Sequence, residues 1–150
     1  MKSSIILFFI AFSVISCKKN KVDQSALDET IIVNYAADKK LETTKTASGL
    51  HYIINEEGSG IKPTVNSTVT VVYKGYLTDG TVFDQSTEAG YTNSLSALIK
   101  GWQEGLPLFK VGSKGVLLIP SALGYGTQGS GSSIPKNAVI IFDIELIDVE

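Results

Sequence analysis

The sequence predicts an α+β domain in which an antiparallel β-sheet packs against one short α-helix. From residue 49 onward the chain consists of short runs rich in Val, Ile, Thr, Tyr and Phe, separated by Gly- and Ser-containing breaks, a pattern typical of strands. Within this region only Ser96–Gly105 places its apolar residues at helical spacing. Few helical residues among many short strands indicate a sheet with a single helix on its face.

Five strands are predicted in this region. Thr68–Tyr76 alternates between an apolar face and a more polar face, as expected of a half-buried strand. Asp79-Gly80 is a turn signal that leads into the next strand. Ala138–Val149 is the longest run and alternates in the same way. The predicted strands are Leu50–Asn55, Thr68–Tyr76, Thr81–Asp84, Lys114–Pro120 and Ala138–Val149.

A second helix is predicted ahead of the sheet, over residues 28–40. Ser25 is a suitable N-cap, and Ile31 and Tyr35 lie four residues apart on one face. We interpret this helix as a spacer that packs lightly on the domain, with docking of a partner as the alternative. Residues 43–48 are predicted to be a linker.

The first residues have the features of an export signal. Met1–Lys2 provides a positive charge, and Ile5–Ile15 is almost entirely apolar. At about 1.5 Å per helical residue, this stretch is too short to cross a bilayer core of roughly 30 Å. It therefore fits the apolar region of a cleaved signal better than a transmembrane helix.

The segment Val14–Cys17 resembles a bacterial lipobox, because an aliphatic residue stands three before the Cys and a small one directly before it. The resemblance implies that Cys17 is acylated and anchors the chain to a membrane of the cell envelope. The alternative is an ordinary cleaved signal followed by an unrelated Cys. The predicted organisation is a lipoprotein signal peptide over 1–16, a tether with a short helix over 17–45, and a folded domain over 46–150.

Composition excludes several classes of function. The 13 basic residues are all Lys and face 15 acidic residues, so no net charge favours nucleic acid. One Cys and one His exclude a disulfide framework and a multi-thiolate zinc site, and His51 is predicted to be a strand surface residue without a chemical role.

Residues 124–129 match the dinucleotide-binding pattern G-x-G-x-x-G, but the following Ser-Gly-Ser-Ser-Ile-Pro cannot begin the helix that such a site requires. No cofactor or metal is expected.

A series of motifs runs in order through the predicted domain: VVYKG at 71–75, VFDQS at 82–86, LIKGWQEGL at 98–106, LGYG at 123–126 and IFDIEL at 141–146. In order and spacing they resemble the FK506-binding-protein (FKBP) family of peptidyl-prolyl cis/trans isomerases. The resemblance implies an FKBP-like fold, with the sheet curled around its helix. It also implies an enzyme that accelerates X-Pro isomerisation in exported proteins, acting as a monomer on proline-containing polypeptides.

The resemblance also implies roles for individual residues. Trp102 would form the floor of an aromatic pocket, the Ile99 N–H would bind a substrate carbonyl, the Tyr125 hydroxyl would donate to the amide, and Asp84 would orient Tyr73. The implied catalytic set is Tyr73, Phe83, Asp84, Ile99, Trp102, Tyr125 and Phe142, and the implied rim is Tyr91, Leu98 and Ile134.

The loops around this implied pocket differ from those of many family members. Thr87 and Glu88 stand where many carry a partner for the Asp, and Ser130 and Ser133 make the later loop more polar. These differences leave open a binding module or chaperone for proline-containing segments with little turnover. An accessory subunit of a surface machine is a further alternative.

Overall fold

The computed structural model describes residues 23–150. The predicted signal peptide, Cys17 and the start of the tether lie outside the described residues. The described chain forms one seven-stranded antiparallel sheet and two α-helices, which confirms the predicted fold class. The helices are α1 (Gln24–Lys39) and α2 (Lys100–Gly105), and the strands are β1 (Thr44–Lys45), β2 (His51–Glu56), β3 (Thr68–Leu77), β4 (Val82–Gln85), β5 (Tyr91–Ser94), β6 (Lys114–Ile119) and β7 (Ile140–Val149).

The strand order is β1-β2-β6-β7-β3-β4, and β5 also pairs with β3. The last strand, β7, therefore lies at the centre of the sheet between β6 and β3. All five predicted strands are present, with ends that differ by one or two residues. The sequence did not predict β1 or β5, which are short and polar, and β1 falls within the segment that we predicted to be a linker.

The inner face of the sheet carries the larger part of the core. Alternate residues of β7 point to this face, as the sequence predicted, and they pack with alternate residues of β3 and with α2. The fully or almost fully buried members from β3 and β7 are Val69, Val71, Ile140, Phe142, Ile144 and Leu146.

Two glycines allow α2 to approach β6 closely. A Cβ on Gly101 would lie 2.6 Å from the side chain of Ile119, and one on Gly105 would lie 2.8 Å from Leu117. The two glycines are four residues apart and so lie on one face of the helix. This close contact places Trp102, which follows Gly101, against the inner face of the sheet with only 3% of its surface exposed.

Helix α1 packs on the outer face of the sheet. It begins earlier than predicted, because Asp23 rather than Ser25 is the N-cap and accepts hydrogen bonds from the backbone N–H groups of Ser25 and Ala26. Ile32 is completely buried. It belongs to a second apolar cluster, which it forms with Val116, Leu118, Val139 and Ile141 of the sheet side. The helix thus covers apolar strand residues rather than packing lightly.

His51 is buried, although the sequence predicted that it lies on the surface. It is 5% exposed, because α1 and the segment before β1 cover this part of β2. Its Nδ1 is 2.9 Å from Thr43 Oγ1, and its Nε2 is 3.2 Å from Glu29 Oε2. Burial of Glu29 opposes ionisation, but Lys45 and His51 outweigh this and hold the pKa of Glu29 below its usual value. His51 therefore helps to connect α1 to the sheet.

Between residues 23 and 150, no helix combines the length and the apolar character needed to cross a membrane. The same part of the chain holds no group of three or more His, Cys, Asp or Glu side chains arranged to bind a metal ion.

Candidate active site

The predicted helix over Ser96–Gly105 is divided into two parts. Leu95–Ala97 forms a 3-10 turn, and α2 begins only at Lys100. Between them Leu98 and Ile99 have extended backbone conformations. Gln103 stabilises the break, because its side-chain amide donates to the carbonyl oxygens of Ser96 and Leu98. As a result Leu98 and Ile99 line a cavity instead of lying on a continuous helix.

This cavity has a volume of about 450 Å³, within the range of small-molecule and peptide sites. It opens on the inner side of the sheet, above Trp102. Eight of the ten residues that the sequence assigned to the site line it: Tyr73, Asp84, Tyr91, Leu98, Ile99, Trp102, Tyr125 and Phe142. Residues from β3, β4, β5, β7, α2 and two loops therefore meet at one place, although they span more than fifty positions of sequence.

The aromatic rings of the cavity contact one another by their edges. The Trp102 ring lies 5.1 Å from the Tyr73 ring and 5.2 Å from the Phe142 ring, with interplanar angles of 85° and 81°. Tyr91 makes a similar contact with Tyr73 at 6.2 Å. Edge-to-face packing of this kind is favourable between aromatic rings. It gives the cavity a rigid apolar floor and one rigid wall.

Three tyrosines line the cavity, and two of them, Tyr73 and Tyr125, are influenced by the carboxylate of Asp84. The Tyr73 hydroxyl donates a 2.7 Å hydrogen bond to Asp84 Oδ2. Desolvation, together with this hydrogen bond and the charge of Asp84, raises the pKa of Tyr73 far above its ordinary value. Desolvation and the same carboxylate also raise the pKa of Tyr125. Both phenols therefore remain protonated and able to donate at neutral pH.

Three donors of the cavity have no partner within the described residues. They are the backbone N–H of Ile99, the Tyr125 hydroxyl and the buried indole N–H of Trp102. The break before α2 accounts for the first, because Ile99 is the N-cap and its N–H precedes the helical hydrogen bonds. A ligand with carbonyl oxygens would find the Ile99 N–H and the Tyr125 hydroxyl available beside an apolar floor, whereas the Trp102 N–H is buried beneath it.

Phe83 and Ile134 do not line this cavity. They line a smaller neighbouring cavity of about 240 Å³, which shares Asp84 and Tyr125 with the first and includes Ser130 and Ser133. Phe83 still supports the first cavity from behind, since its ring meets the Phe142 ring edge to face at 5.5 Å. Ile134 is 5% exposed and belongs to the inner core.

Sequence analysis missed the contribution of Gly75. It lies in the middle of β3, opposite Phe142 on β7 and Asp84 on β4. A Cβ at this position would be 2.6 Å from the Phe83 ring and 2.7 Å from the Phe142 ring. Gly75 is thus required for the contact between these two rings. A glycine inside an otherwise regular strand is a signal of such close approach.

Comparison with known proteins shows the family of this chain. Residues 59–147 match the family model for FKBP-type peptidyl-prolyl cis-trans isomerases. The chain is 43% identical over 143 residues to the FKBP-type isomerase FkpA of Aeromonas hydrophila, covering 89% of this chain and 53% of that protein. It is also 43% identical over 117 residues to the isomerase Mip of Coxiella burnetii, covering 76% of this chain and 51% of the relative. The chain thus spans about half the length of the curated relatives it matches.

Solved structures give the same result for the fold. An isomerase from Pseudomonas syringae superimposes with a TM-score of 0.76 at 35% identity, covering 85% of this chain and 93% of the other. FkpA from Escherichia coli superimposes with a TM-score of 0.74 at 38% identity, covering 84% and 61%. The range that the family model matches, residues 59–147, includes all eight residues that line the cavity. This chain belongs to the family of FKBP-type peptidyl-prolyl cis-trans isomerases.

Proposed function

We propose that this chain is a peptidyl-prolyl cis/trans isomerase whose active site is the cavity above Trp102. The observation that carries the proposal is the edge-to-face contact of Trp102 with Tyr73 and Phe142, which gives an apolar floor and wall. Beside them lies the Ile99 N–H, which has no partner in the part of the chain that the structure describes. Such a cavity suits a proline ring followed by backbone carbonyls.

The chemistry of the reaction fits a site without a nucleophile. Rotation about an X-Pro bond has a barrier near 18–20 kcal/mol, because the twisted amide loses its resonance. It also loses much of the charge separation of the planar amide. An apolar cavity therefore binds the twisted form more strongly than the planar form, and only this difference in binding accelerates the reaction.

The polar groups of the cavity would hold the substrate while its amide bond turns. The Ile99 N–H would donate to a substrate carbonyl, and the Tyr125 hydroxyl would donate to the amide region. Asp84 would fix the ring of Tyr73 through their 2.7 Å hydrogen bond. Phe83 would support the Phe142 wall, and Tyr91 and Leu98 would contact residues flanking the proline. Ile134 would contact only a substrate that extends into the smaller neighbouring cavity.

We further propose that Cys17 carries the lipid anchor and that the chain works in the cell envelope on exported proteins that contain proline. The proposal rests on the order of residues 1–17: a positive start, an apolar run, and a Cys directly after Val-Ile-Ser. A single acyl chain binds membranes only marginally, whereas several chains on one residue bind stably. The chain would act as a monomer, tethered by the residues between Cys17 and α1.

The test of the activity is a coupled peptide assay with a Leu-Pro substrate and the purified chain. We expect cis-to-trans conversion well above the uncatalysed rate, which corresponds to tens to hundreds of seconds. An inactive protein that still binds proline-containing segments would contradict catalysis and favour the binding-module alternative.

A further inference from the structure

Asp28, on helix α1, is a buried carboxylate without a counter-ion among residues 23–150. It is 1% exposed. Its Oδ2 accepts hydrogen bonds from the backbone N–H of Ser121 at 2.8 Å and from the Ser121 hydroxyl at 2.6 Å, and its Oδ1 accepts from Gln24 Nε2 at 2.7 Å. An ionised group is buried at a considerable free-energy cost unless hydrogen bonds satisfy it. The three donors make this burial possible, and two of them belong to one residue of the sheet domain.

Ser121 is the first residue of a 3-10 turn that follows β6. Its carbonyl oxygen accepts two further hydrogen bonds, from the N–H of Gly124 at 3.0 Å and from the N–H of Gly126 at 2.8 Å. These are the two residues on either side of Tyr125. Asp28 therefore accepts hydrogen bonds from the N–H and the hydroxyl of Ser121. The carbonyl oxygen of Ser121 in turn holds the turn that carries Tyr125.

No pairing between β-strands fixes the backbone of this turn. Gly126 has a φ of +55°, and Gly124 has a backbone conformation outside the helical and extended regions. The turn makes three other backbone hydrogen bonds: Leu123 donates to Pro120, Gly129 donates to Tyr125 and Asn137 donates to Gly126. The Leu123 bond closes only the start of the turn, whereas the Ser121 carbonyl oxygen holds the residues on both sides of Tyr125.

We propose that Asp28 is a positioning residue for Tyr125: the helix α1 carboxylate fixes Ser121, and Ser121 fixes the backbone on both sides of the tyrosine whose hydroxyl reaches the cavity. Asp28 does not line the cavity. This inference rests on the proposed function, in which Tyr125 donates to the substrate amide. It gives α1 a part in the reaction in addition to covering the outer face of the sheet.

A double-mutant cycle tests the proposal, because an effect that acts through Tyr125 must disappear when the tyrosine hydroxyl is absent. In the 150-residue chain, Asp28→Ala should lower kcat/KM about fivefold, the size expected from one well-placed hydrogen bond. In the background of Tyr125→Phe the same change should lower it less than about twofold. An equal loss in both backgrounds, or no loss in either, would overturn the proposal.

Two variants serve as controls. Asp28→Asn keeps an oxygen that can accept from Ser121 and should restore most of the activity. Glu29→Ala removes the neighbouring carboxylate, which connects α1 to Lys45 and His51 but not to Ser121, and should leave kcat/KM unchanged. If Asp28→Ala fails to fold, Ser121→Ala replaces it. This variant removes only the 2.6 Å hydroxyl bond and should give a smaller loss of about twofold that again requires the Tyr125 hydroxyl.

Amide chemical shifts provide a measurement that does not need turnover. Asp28→Ala should move the signals of Gly124, Tyr125 and Gly126, whereas Glu29→Ala should not. An inactive wild-type chain would refute the proposed function, yet these shifts would still test the connection between Asp28 and the turn. Unchanged signals in Asp28→Ala would overturn the connection, whatever the activity.

Discussion

Tyr73 and Asp84 are joined by a 2.7 Å hydrogen bond across the paired strands β3 and β4, at the wall of the cavity. A second hydrogen-bonded Tyr–Asp pair joins β3 and β7, where the Tyr76 hydroxyl donates to Asp143 Oδ1 at 2.9 Å. Tyr76 packs against the cluster under α1, on the other side of the sheet. The described part of the chain therefore contains one such pair at the cavity and one away from it.

Asp84→Ala should reduce kcat/KM about tenfold, which corresponds to about 1.4 kcal/mol. The carboxylate is exposed enough that its loss leaves no buried group unsatisfied, so the melting temperature should change little. Asp143→Ala is the matched control and should keep the rate of the unchanged chain. Equal rates for the two variants would contradict a role of Asp84 in the reaction.

Tyr125→Phe should also lower kcat/KM about tenfold while the fold stays intact. It removes one hydroxyl that has no partner among residues 23–150, and a hydrogen bond of this kind contributes about 0.5–1.5 kcal/mol. Tyr52→Phe makes the same change on a half-buried strand residue away from the cavity. The coupled peptide assay and thermal unfolding should be measured on both. A Tyr125→Phe variant with full activity would rule out donation by this hydroxyl.

The stability of the domain should fall as the pH rises above about 10, the ordinary pKa of tyrosine in an unfolded chain. Desolvation, assisted by neighbouring carboxylates, raises the pKa values of Tyr73, Tyr76 and Tyr125 in the folded state. The unfolded chain thus loses these protons first, and ionisation favours unfolding. Melting temperatures between pH 8 and pH 11 provide the measurement. Tyr76→Phe should make the decline less steep, and an identical slope would contradict this assignment.

Cys17→Ala should release the protein from membranes. If Cys17 is acylated, the unchanged chain will enter the detergent phase on phase separation and will remain with washed membranes, because several acyl chains bind stably. The variant should appear in the aqueous phase. Ser16→Ala keeps a small residue before the Cys and should behave like the unchanged chain. A wild-type protein that washes off membranes with a free thiol would refute the anchor.

A fragment that contains only residues 46–150 should fold but be less stable than the longer chain. Removal of α1 exposes four apolar side chains of the outer cluster: Val116, Leu118, Val139 and Ile141. Burial of Ile32 alone contributes about 1.5–3 kcal/mol. Chemical denaturation of the fragment should show this loss of stability, and Ile32→Ala in the full chain should show much of it. Val33→Ala changes a half-exposed residue and should not show it. A fragment as stable as the whole chain would mean that α1 only rests on the sheet.

The sequence predicted the strands whose faces differ in polarity. In β3 and β7, alternation places one face in the inner core, and a shift by one residue would reverse every side chain. β1 and β5 have no such alternation, since Thr44, Lys45, Tyr91 and Thr92 are exposed. These two strands form because neighbouring strands supply hydrogen-bond partners for their backbone groups. The local residue pattern contains no signal of this pairing.

Coverage of the outer face could have been inferred in part. Leu117, Leu118 and Ile119 form a continuous apolar run, and Ile140 and Ile141 begin another. Runs of this kind indicate strands buried on both faces. With that inference, the burial of His51 on neighbouring β2 would also have been expected. The start of α1 was missed because Asp23 and Ser25 are both good N-caps.

Eight of the ten predicted site residues line one cavity, but motif order did not predict how they are arranged inside it. Motif order identified Trp102 and Tyr125, yet the position of Phe83 depends on ring packing over Gly75, and that of Ile134 depends on its burial in the inner core. The break at Leu98 and Ile99 depends on one glutamine side chain. Such details follow from tertiary contacts rather than from periodicity.

The central position of β7 determines when this fold can form. Strands β3 and β6 are separated along the chain, and each pairs with β7 over almost its full length. Neither can complete its backbone hydrogen bonds until the last strand has been synthesised. Such distant pairings make folding slow. A nascent chain would leave both β3 and β6 without this partner until β7 has been made, and removal of β7 would separate the sheet into two halves rather than shorten one edge.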